Sequence, residues 1–158
     1  YDGGAFFSPD GQWLVFRSTA FSPDHYEQEL QDYRSLLAQD LVRPSNMELA
    51  LMRADGQDRR QLTELGGANF APSFFPSGKR IIFASNHHDT AKPAMNFDLF
   101  AIDTDGGNLE RITYYNGQRG KQFDSFPLFS PDGRYLAFSS NRGDGKPGET
   151  NVFIAEWK

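Results

Sequence analysis

Apolar residues along this chain fall in short runs, and clusters of Gly, Pro, Asp and Ser separate the runs. Leu14-Val15-Phe16 and Ile81-Ile82-Phe83 are two such runs, and each follows a turn-forming segment. In such a turn Pro fixes φ, Asp bonds nearby backbone and Gly accepts a positive φ. Short apolar runs bounded by these residues are typical of β-strands. The pattern therefore predicts an all-β chain of many short strands.

One segment of the pattern occurs three times in phase. The copies are residues 6–11, 73–78 and 128–133, at offsets of 67 and then 55 residues. Each copy continues into an apolar run and then reaches a serine, which is Ser18, Ser85 or Ser140. Self-similarity of this kind is the sequence signature of a repeat architecture.

A second half-repeat follows each first half. Asp55-Gly56 and Asp105-Gly106 end its first strand, because Asp-Gly is a strong hairpin signal. Its second strand ends at Leu62-Thr63 and at Ile112-Thr113, whereas the third copy, at 151–156, has no second strand after it. The repeat thus predicts antiparallel strands a, b, c and d in the first two units and strands a, b and c in the third.

Four antiparallel strands in about 40 residues describe one blade of a β-propeller. We predict one partial propeller domain over residues 1–158, with blade one at 1–66, blade two at 67–120 and blade three at 121–158. The predicted strands lie near 4–8, 12–17, 46–53, 58–63, 71–75, 80–85, 97–102, 109–113, 126–130, 134–139 and 151–156.

The repeated motif Phe-Ser-Pro-Asp-Gly-x-x-Leu-x-Phe-x-Ser resembles the WD40-like repeat named for its Pro-Asp pair, which occurs in TolB-like propellers. The middle copy departs from it, with Ser77 in place of Asp. Since TolB-like propellers usually have six blades, the resemblance implies half of a six-bladed ring, similar to the C-terminal half. It also implies a periplasmic or secreted protein, although the chain shows no signal peptide.

Every long insertion falls between strands b and c of a blade, while the a–b and c–d turns are tight. The insertions cover about 19–46, 87–96 and 143–150. Because strands alternate in direction, all three insertions emerge on one face of the disc, which we call the b–c face. Long loops on a rigid scaffold often carry function, so the b–c face is the predicted binding face.

The first insertion contains a predicted helix. Tyr26, Leu30, Tyr33 and Leu37 have the spacing of one helical face. Ser22 is the expected N-cap, with Pro23 at the first helical position, and Pro44 bounds the far end. Two interpretations stay open: a helix packed on its own blade, or a lid or docking helix over the central channel of the propeller.

The composition limits the classes of partner and site that the chain can have. The net charge is −5 with mixed signs along the chain, and no basic stripe points to nucleic acid. No apolar stretch approaches the ~18 residues of a membrane span, so we expect no membrane insertion. The chain has no cysteine, which excludes disulfides, thiol catalysis and thiolate metal sites.

The predicted ligand-binding residues lie at the channel mouth on the b–c face. Asp2, Asn69 and Asp124 align at the entry of strand a, and His87 aligns with Arg142. The oxygens could bind a cation or a polar ligand, and His87 or Arg142 an acidic one. The alternative is that the three entry residues cap strand ends and hold water.

Catalytic and metal sites are not indicated. In His87-His88-Asp89, neighbouring side chains of an extended segment point opposite ways, so we expect no metal site there and no cofactor. The chain has no Gly-x-Ser-x-Gly elbow, and no catalytic residue is predicted.

The function predicted from this sequence is a non-catalytic scaffold for a protein, peptide or cell-envelope component. The alternative is the propeller domain of, or an accessory to, a hydrolase of the peptidase or amidohydrolase-like kind, or a metal-dependent sugar lyase. Because an open edge strand invites pairing, we also expect a homodimer or a missing propeller half as partner.

Overall fold

The computed structural model of this chain describes residues 2–19, 21–41, 46–91, 94–115, 122–143, 146 and 149–158. Its described strands form three antiparallel sheets of four, four and three strands, which are the predicted blades. Blade one has β1 (Asp2–Phe7), β2 (Trp13–Thr19), β3 (Met47–Arg53) and β4 (Arg60–Gln61). Blade two has β5 (Asn69–Phe74), β6 (Arg80–Ser85), β7 (Asp98–Asp103) and β8 (Glu110–Arg111). Blade three has β9 (Asp124–Phe129), β10 (Tyr135–Ser140) and β11 (Asn151–Glu156).

The a–b turns follow the chemistry that the sequence predicts. In blade one the Gly11 N–H donates to Ser8 O at 2.8 Å, and the Ser8 hydroxyl donates to Asp10 Oδ1. That hydroxyl holds the pKa of the Asp10 carboxyl below its ordinary value, and the Gln12 N–H adds to the effect. In blade two the Ser77 hydroxyl takes the place of the carboxylate and accepts from the Lys79 N–H at 3.3 Å.

The same turns also fix the spacing between blades. A Cβ on Gly78 would lie 3.6 Å from Pro9, and a Cβ on Gly133 only 3.3 Å from Pro76. Each proline ring of one blade therefore sits against the turn glycine of the next blade. Both glycines also have positive φ, at 70° and 71°.

Strand a carries a β-bulge at the same place in each blade. The register slips between Gly3 and Phe6 in β1 and between Phe70 and Ser73 in β5, and β9 slips opposite Ala137 and Ser139. The residues in the left-handed region are Gly4 at φ 62°, Ala71 at φ 49° and Phe126 at φ 51°. Such a bulge bends the strand and increases its local twist.

The cores lie between blades rather than within them, because each sheet places alternate side chains on its two faces. The first core joins blades one and two through Val15, Leu49, Leu51, Leu62, Phe74, Ile81, Phe83, Phe100 and Ile102. The second joins blades two and three through Phe75, Ile82, Ala84, Leu99, Ala101, Phe129, Leu136 and Phe138. In the described part of the chain, no sheet packs on the two outer faces: Val152 and Ile154 of β11 are 74% and 71% exposed, and Phe7 of β1 is 62% exposed.

The first insertion forms a 3-10 turn over Pro23–His25 and then helix α1 over Tyr26–Ala38. The Ser22 hydroxyl makes no capping bond; instead its N–H donates to Glu29 Oε2 at 2.7 Å, and His25 is the N-cap of α1. Pro44 lies outside the described residues.

Among the described elements, α1 contacts the 3-10 turn and no strand. Of the two interpretations, packing of the helix on its own blade is not seen in the part of the chain described, and the lid or docking helix stays a prediction. The helix is held through Phe21, whose ring lies 5.7 Å from Tyr26 and 5.9 Å from Tyr33. No described helix is both long and apolar enough to cross a membrane.

Candidate functional site

The predicted residues meet at the b–c face because strand register brings them together. The first residue of strand a pairs with a serine at or next to the end of strand b in every blade. The pairs are Asp2 with Ser18, Asn69 with Ser85, and Asp124 with Ser140. His87 and Arg142 follow two residues after their serines, so the repeat brings three positions together, which we call the entry joint.

In blade three the entry joint is an ion pair around a serine. Asp124 is fully buried, and its Oδ1 accepts from the Ser140 hydroxyl at 2.6 Å and from Gln122 Nε2 at 3.1 Å. Its Oδ2 accepts from Arg142 Nη2 at 2.6 Å. The Arg142 Nε donates to Ser140 Oγ at 2.9 Å, so serine and arginine are held together as well. Both carboxylate oxygens are thus engaged inside the fold.

In blade two the same positions make a neutral joint. The Ser85 hydroxyl donates to Asn69 Oδ1 at 2.6 Å and lies 2.8 Å from His87 Nδ1. A hydroxyl has a single proton to donate, so His87 Nδ1 carries the hydrogen and donates to Ser85. Burial lowers the pKa of the His87 imidazole, with the neighbouring His88 and Arg111 charges adding to the effect. The imidazole is therefore held neutral, with Nε2 as its acceptor.

Asn69 also ties blade two to blade one. Its Nδ2 lies 2.9 Å from Met47 O, 3.0 Å from Glu48 Oε2 and 3.1 Å from Gly66 O. Glu48 is buried as well, and its carboxylate accepts from the Thr63 hydroxyl at 2.6 Å and from the Gly66 N–H at 2.7 Å. This buried carboxylate, which pairs with no cation among the described residues, is thus satisfied by several donors.

Blade one differs from both. Asp2 is about half exposed and pairs with Arg59 Nη2 at 3.2 Å, and the same Nη2 donates to Ser18 Oγ at 3.0 Å. Arg59 therefore lies between the aspartate and the serine that meet directly in blade three. Ala20, at the position of His87 and Arg142, lies outside the described residues.

A second polar cluster in blade two was not predicted. Asp98, at the start of strand c, is fully buried; its Oδ2 pairs with Arg111 Nη2 at 2.5 Å and with His88 Nε2 at 2.9 Å. Its Oδ1 accepts from the Thr113 hydroxyl at 3.1 Å. Burial lowers the pKa of His88, although the Asp98 charge acts in the opposite direction. The signal that could have revealed this cluster is the alignment of Asp98 and Thr113 with Glu48 and Thr63.

The two adjacent histidines serve different groups. The His87 ring packs 4.4 Å from the Phe100 ring and bonds Ser85, whereas His88 bonds Asp98. Among the described residues, no three His, Asp or Glu side chains lie close enough together to hold a metal ion. Asp124 and Asn69 use their oxygens within the fold, so the role of the five predicted residues in ligand binding stays a prediction.

Comparisons with known proteins agree on the fold. No family model matches the chain. An uncharacterized protein of Agrobacterium fabrum is 26% identical over 137 residues, which cover 85% of this chain and 38% of that protein. The structure of putative TolB from Agrobacterium tumefaciens superposes with a TM-score of 0.64 at 22% identity, over 96% of this chain and 45% of that one. TolB from Acinetobacter baumannii gives 0.64 at 21% identity, over 98% of this chain and 29% of that one.

The chain thus spans less than half the length of these relatives. Sequence identity at this level reports the fold alone. The predicted resemblance is confirmed at that level: the chain has a TolB-like propeller-type fold.

Proposed function

We propose that this chain is a non-catalytic propeller scaffold that binds a protein, a peptide or a cell-envelope component through its b–c face. The observation that carries the proposal is a difference between the two faces. The insertions that follow β2 and β6 both start on the b–c face, whereas the a–b and c–d connections are tight turns. Binding residues concentrate on loops that a rigid scaffold positions.

The described residues of the loop after β6 are joined by the loop's own hydrogen bonds. The Asp89 carboxylate accepts from the N–H groups of Ala91 at 3.0 Å, Met95 at 2.8 Å and Asn96 at 2.9 Å. These bonds, that of Asn96 foremost, lower the pKa of Asp89, so the loop keeps a charged anchor at neutral pH. A loop that is ordered before binding loses less conformational entropy on binding.

The same face presents apolar side chains to solvent. Leu36 and Leu37 of α1 are 43% and 54% exposed, and Met95 of the next insertion is 43% exposed. Exposed apolar groups rimmed by polar residues are typical of interaction sites. These side chains are the proposed contact groups for a protein or peptide.

A comparison of the two faces tests the proposal. A photo-crosslinking residue is introduced at Leu37 or Met95 and, as matched controls on the tight-turn face, at Gln57 or Asp105, in cells of the source organism. We expect one saturable adduct from the b–c face that excess unmodified protein competes away, and no competed adduct from the control positions. Equal labelling from both faces, or no competition, would contradict the proposal.

The proposed compartment is the periplasm or the cell exterior, supported by the resemblance of the fold. Fractionation of the source organism with an antibody against this chain tests it. Recovery with the cytoplasmic markers would overturn the compartment and, with it, the cell-envelope partner.

We also propose that a second copy of this chain covers the two outer sheet faces. In the first core, the sheet face of blade one that holds Val15 packs on the face of blade two that holds Phe74. In the second core, the face of blade two that holds Ile82 packs in the same way on the face of blade three that holds Phe129. Blade three leaves the first kind of face open at Ile154, and blade one leaves the second kind open at Phe7. Two copies related by a two-fold axis therefore join open faces of complementary kind.

Light scattering on the purified chain tests this pairing. We expect a dimer for the unchanged chain and a monomer for Val152→Asp with Ile154→Asp, because the carboxylates would be buried in the interface. A matched control places the same two substitutions at Gln57 and Gln61. A monomer that is stable on dilution in the unchanged chain would refute the pairing.

A further inference from the structure

The tight-turn rim of the blade two/three core is filled by aromatic rings. Phe75 of blade two lies 4.5 Å from Phe129 and 5.7 Å from Trp157, both of blade three, measured between ring centroids. Phe129 and Trp157 lie 5.1 Å apart. Three rings thus close the gap between these two sheets.

At the same place between blades one and two, two of the three aromatic rings are replaced by small polar residues. In the alignment of the repeats, Ser8 occupies the position of Phe75, Phe74 that of Phe129 and Thr104 that of Trp157. The backbone confirms the last correspondence, because the Thr104 N–H donates to Lys79 O and the Trp157 N–H to Arg134 O. A cleft of about 410 Å³ occupies the place that the rings fill in the other core.

The cleft has an apolar floor and a charged rim. Trp13, Leu51 and Phe74 form the floor. The volume of the cleft falls within the range of about 300–1,000 Å³ that is typical of small-molecule sites, and apolar and polar residues share its lining. The floor therefore offers a planar ring the kind of contacts that Trp157 makes in the second core.

The rim favours an anion. Arg60 and Lys79 supply two cations, against one carboxylate from Asp10. Asp10 Oδ1 already accepts from the Ser8 hydroxyl and from the Gln12 N–H, and Arg60 donates to Thr104 O at 2.5 Å. The Lys79 ammonium makes no hydrogen bond or ion pair with any residue that the structure describes, so it is available to a ligand.

We propose that this cleft binds a small planar aromatic carboxylate of about indole size, with the ring on Trp13 and Phe74 and the carboxylate at Lys79. The site lies on the tight-turn face, opposite the b–c face, so it does not depend on the proposed protein-binding function. The ring of the ligand takes the place of the missing aromatic side chains, and its carboxylate neutralises the excess positive charge of the rim.

Calorimetric titration of the purified chain with indole-3-acetate, indole and acetate tests the proposal. We expect saturable one-to-one binding of indole-3-acetate, weaker binding of indole and no binding of acetate. Lys79→Gln should weaken indole-3-acetate by about threefold to tenfold, typical of one charge-assisted contact at a partly exposed site, and leave indole unchanged. No binding of indole-3-acetate at millimolar concentration, or equal affinity for indole, would overturn the proposal.

A second variant fills the cleft. Ser8→Phe with Thr104→Trp installs the residues of the blade two/three core and should abolish binding. Ser130→Phe is the matched control for the loss of the turn's hydrogen bonds. Ser130 makes the same bonds in blade three, to Asp132 Oδ1 and from the Tyr135 N–H, and it does not line the cleft. Thermal unfolding establishes that each variant folds. A folded filled variant that still binds, or a Ser130→Phe variant that loses binding, would overturn the proposal.

Discussion

Blades two and three build the same entry joint from different charges. Blade two uses an amide and a neutral imidazole, and blade three uses a carboxylate and a guanidinium, each around a buried serine. The residues are Asn69, Ser85 and His87 in the first, and Asp124, Ser140 and Arg142 in the second. Since a buried charge is costly without a partner, the repeat changes both partners together and leaves the geometry intact.

The largest effect is expected from putting blade three's charge into blade two. Asn69→Asp places a carboxylate about 3.0 Å from Glu48 Oε2 and removes the amide that bonds Met47 O. An uncompensated buried charge typically costs about 3–5 kcal/mol, so we expect a loss of that size in the free energy of unfolding. Urea denaturation measures it. Asp2→Asn, at the exposed equivalent position, is the control, and a loss below about 1 kcal/mol for Asn69→Asp would contradict the charge argument.

The second effect tests the partner exchange itself. Arg142→His leaves Asp124 with Ser140 and Gln122 but without its guanidinium, and should cost about 1.5–3 kcal/mol, the range for a hydrogen bond to a charged group. Asp124→Asn with Arg142→His recreates the joint of blade two and should recover most of that loss. A double-mutant cycle gives the coupling energy, and additive losses would show that the two residues act independently.

The third effect isolates the serine. Ser85→Ala leaves the buried Asn69 Oδ1 without its donor and should cost about 1–3 kcal/mol in unfolding free energy. Ser18→Ala in blade one removes a contact with the half-exposed Arg59 and should change the value by less than about 0.5 kcal/mol. Equal losses at the two serines would mean that the joints of blades one and two do not differ.

The smallest effect is the pH dependence that His87 contributes near neutral pH. Burial lowers the pKa of His87 in the folded chain, so below about pH 6.5 the unfolded chain binds more protons and the folded state loses stability. The loss begins at that pH and levels off below the folded pKa. His87→Gln should reduce the slope measured by denaturation between pH 7 and 5, and Arg142→Gln should not. An unchanged slope in His87→Gln would contradict the assignment.

The sequence was sufficient for the features that lie within one repeat. Asp10 and Gly11 identify a turn because their chemistry acts over three or four residues, and the structure places them in that turn. Strand order and register follow from such turns, which explains why eleven strands could be predicted and are found in the described residues. The alignment of Asn69 with Asp124 also located a shared position correctly.

The contacts between strands could not be predicted in the same way. The bonds of Asp98 with Arg111 and of Asn69 with Glu48 join residues on different strands or blades, and residue type alone does not indicate such partners. Arg59 reaches Asp2 across the sheet of blade one, although 57 positions separate them. The bulges gave no signal either, because Ala71 and Phe126 take a positive φ that the sequence suggests only at Gly4.

The contact between a proline ring and the next blade's turn glycine limits how closely neighbouring sheets can approach at that rim. Pro76 leaves a Cβ on Gly133 only 3.3 Å, so a larger residue there needs the two turns to separate by a few tenths of an ångström at this rim. Splaying one rim changes the angle between neighbouring sheets, and the sum of those angles decides how many sheets complete a circle. The absence of a single methyl group at this turn therefore helps to set the circumference that such an assembly can reach.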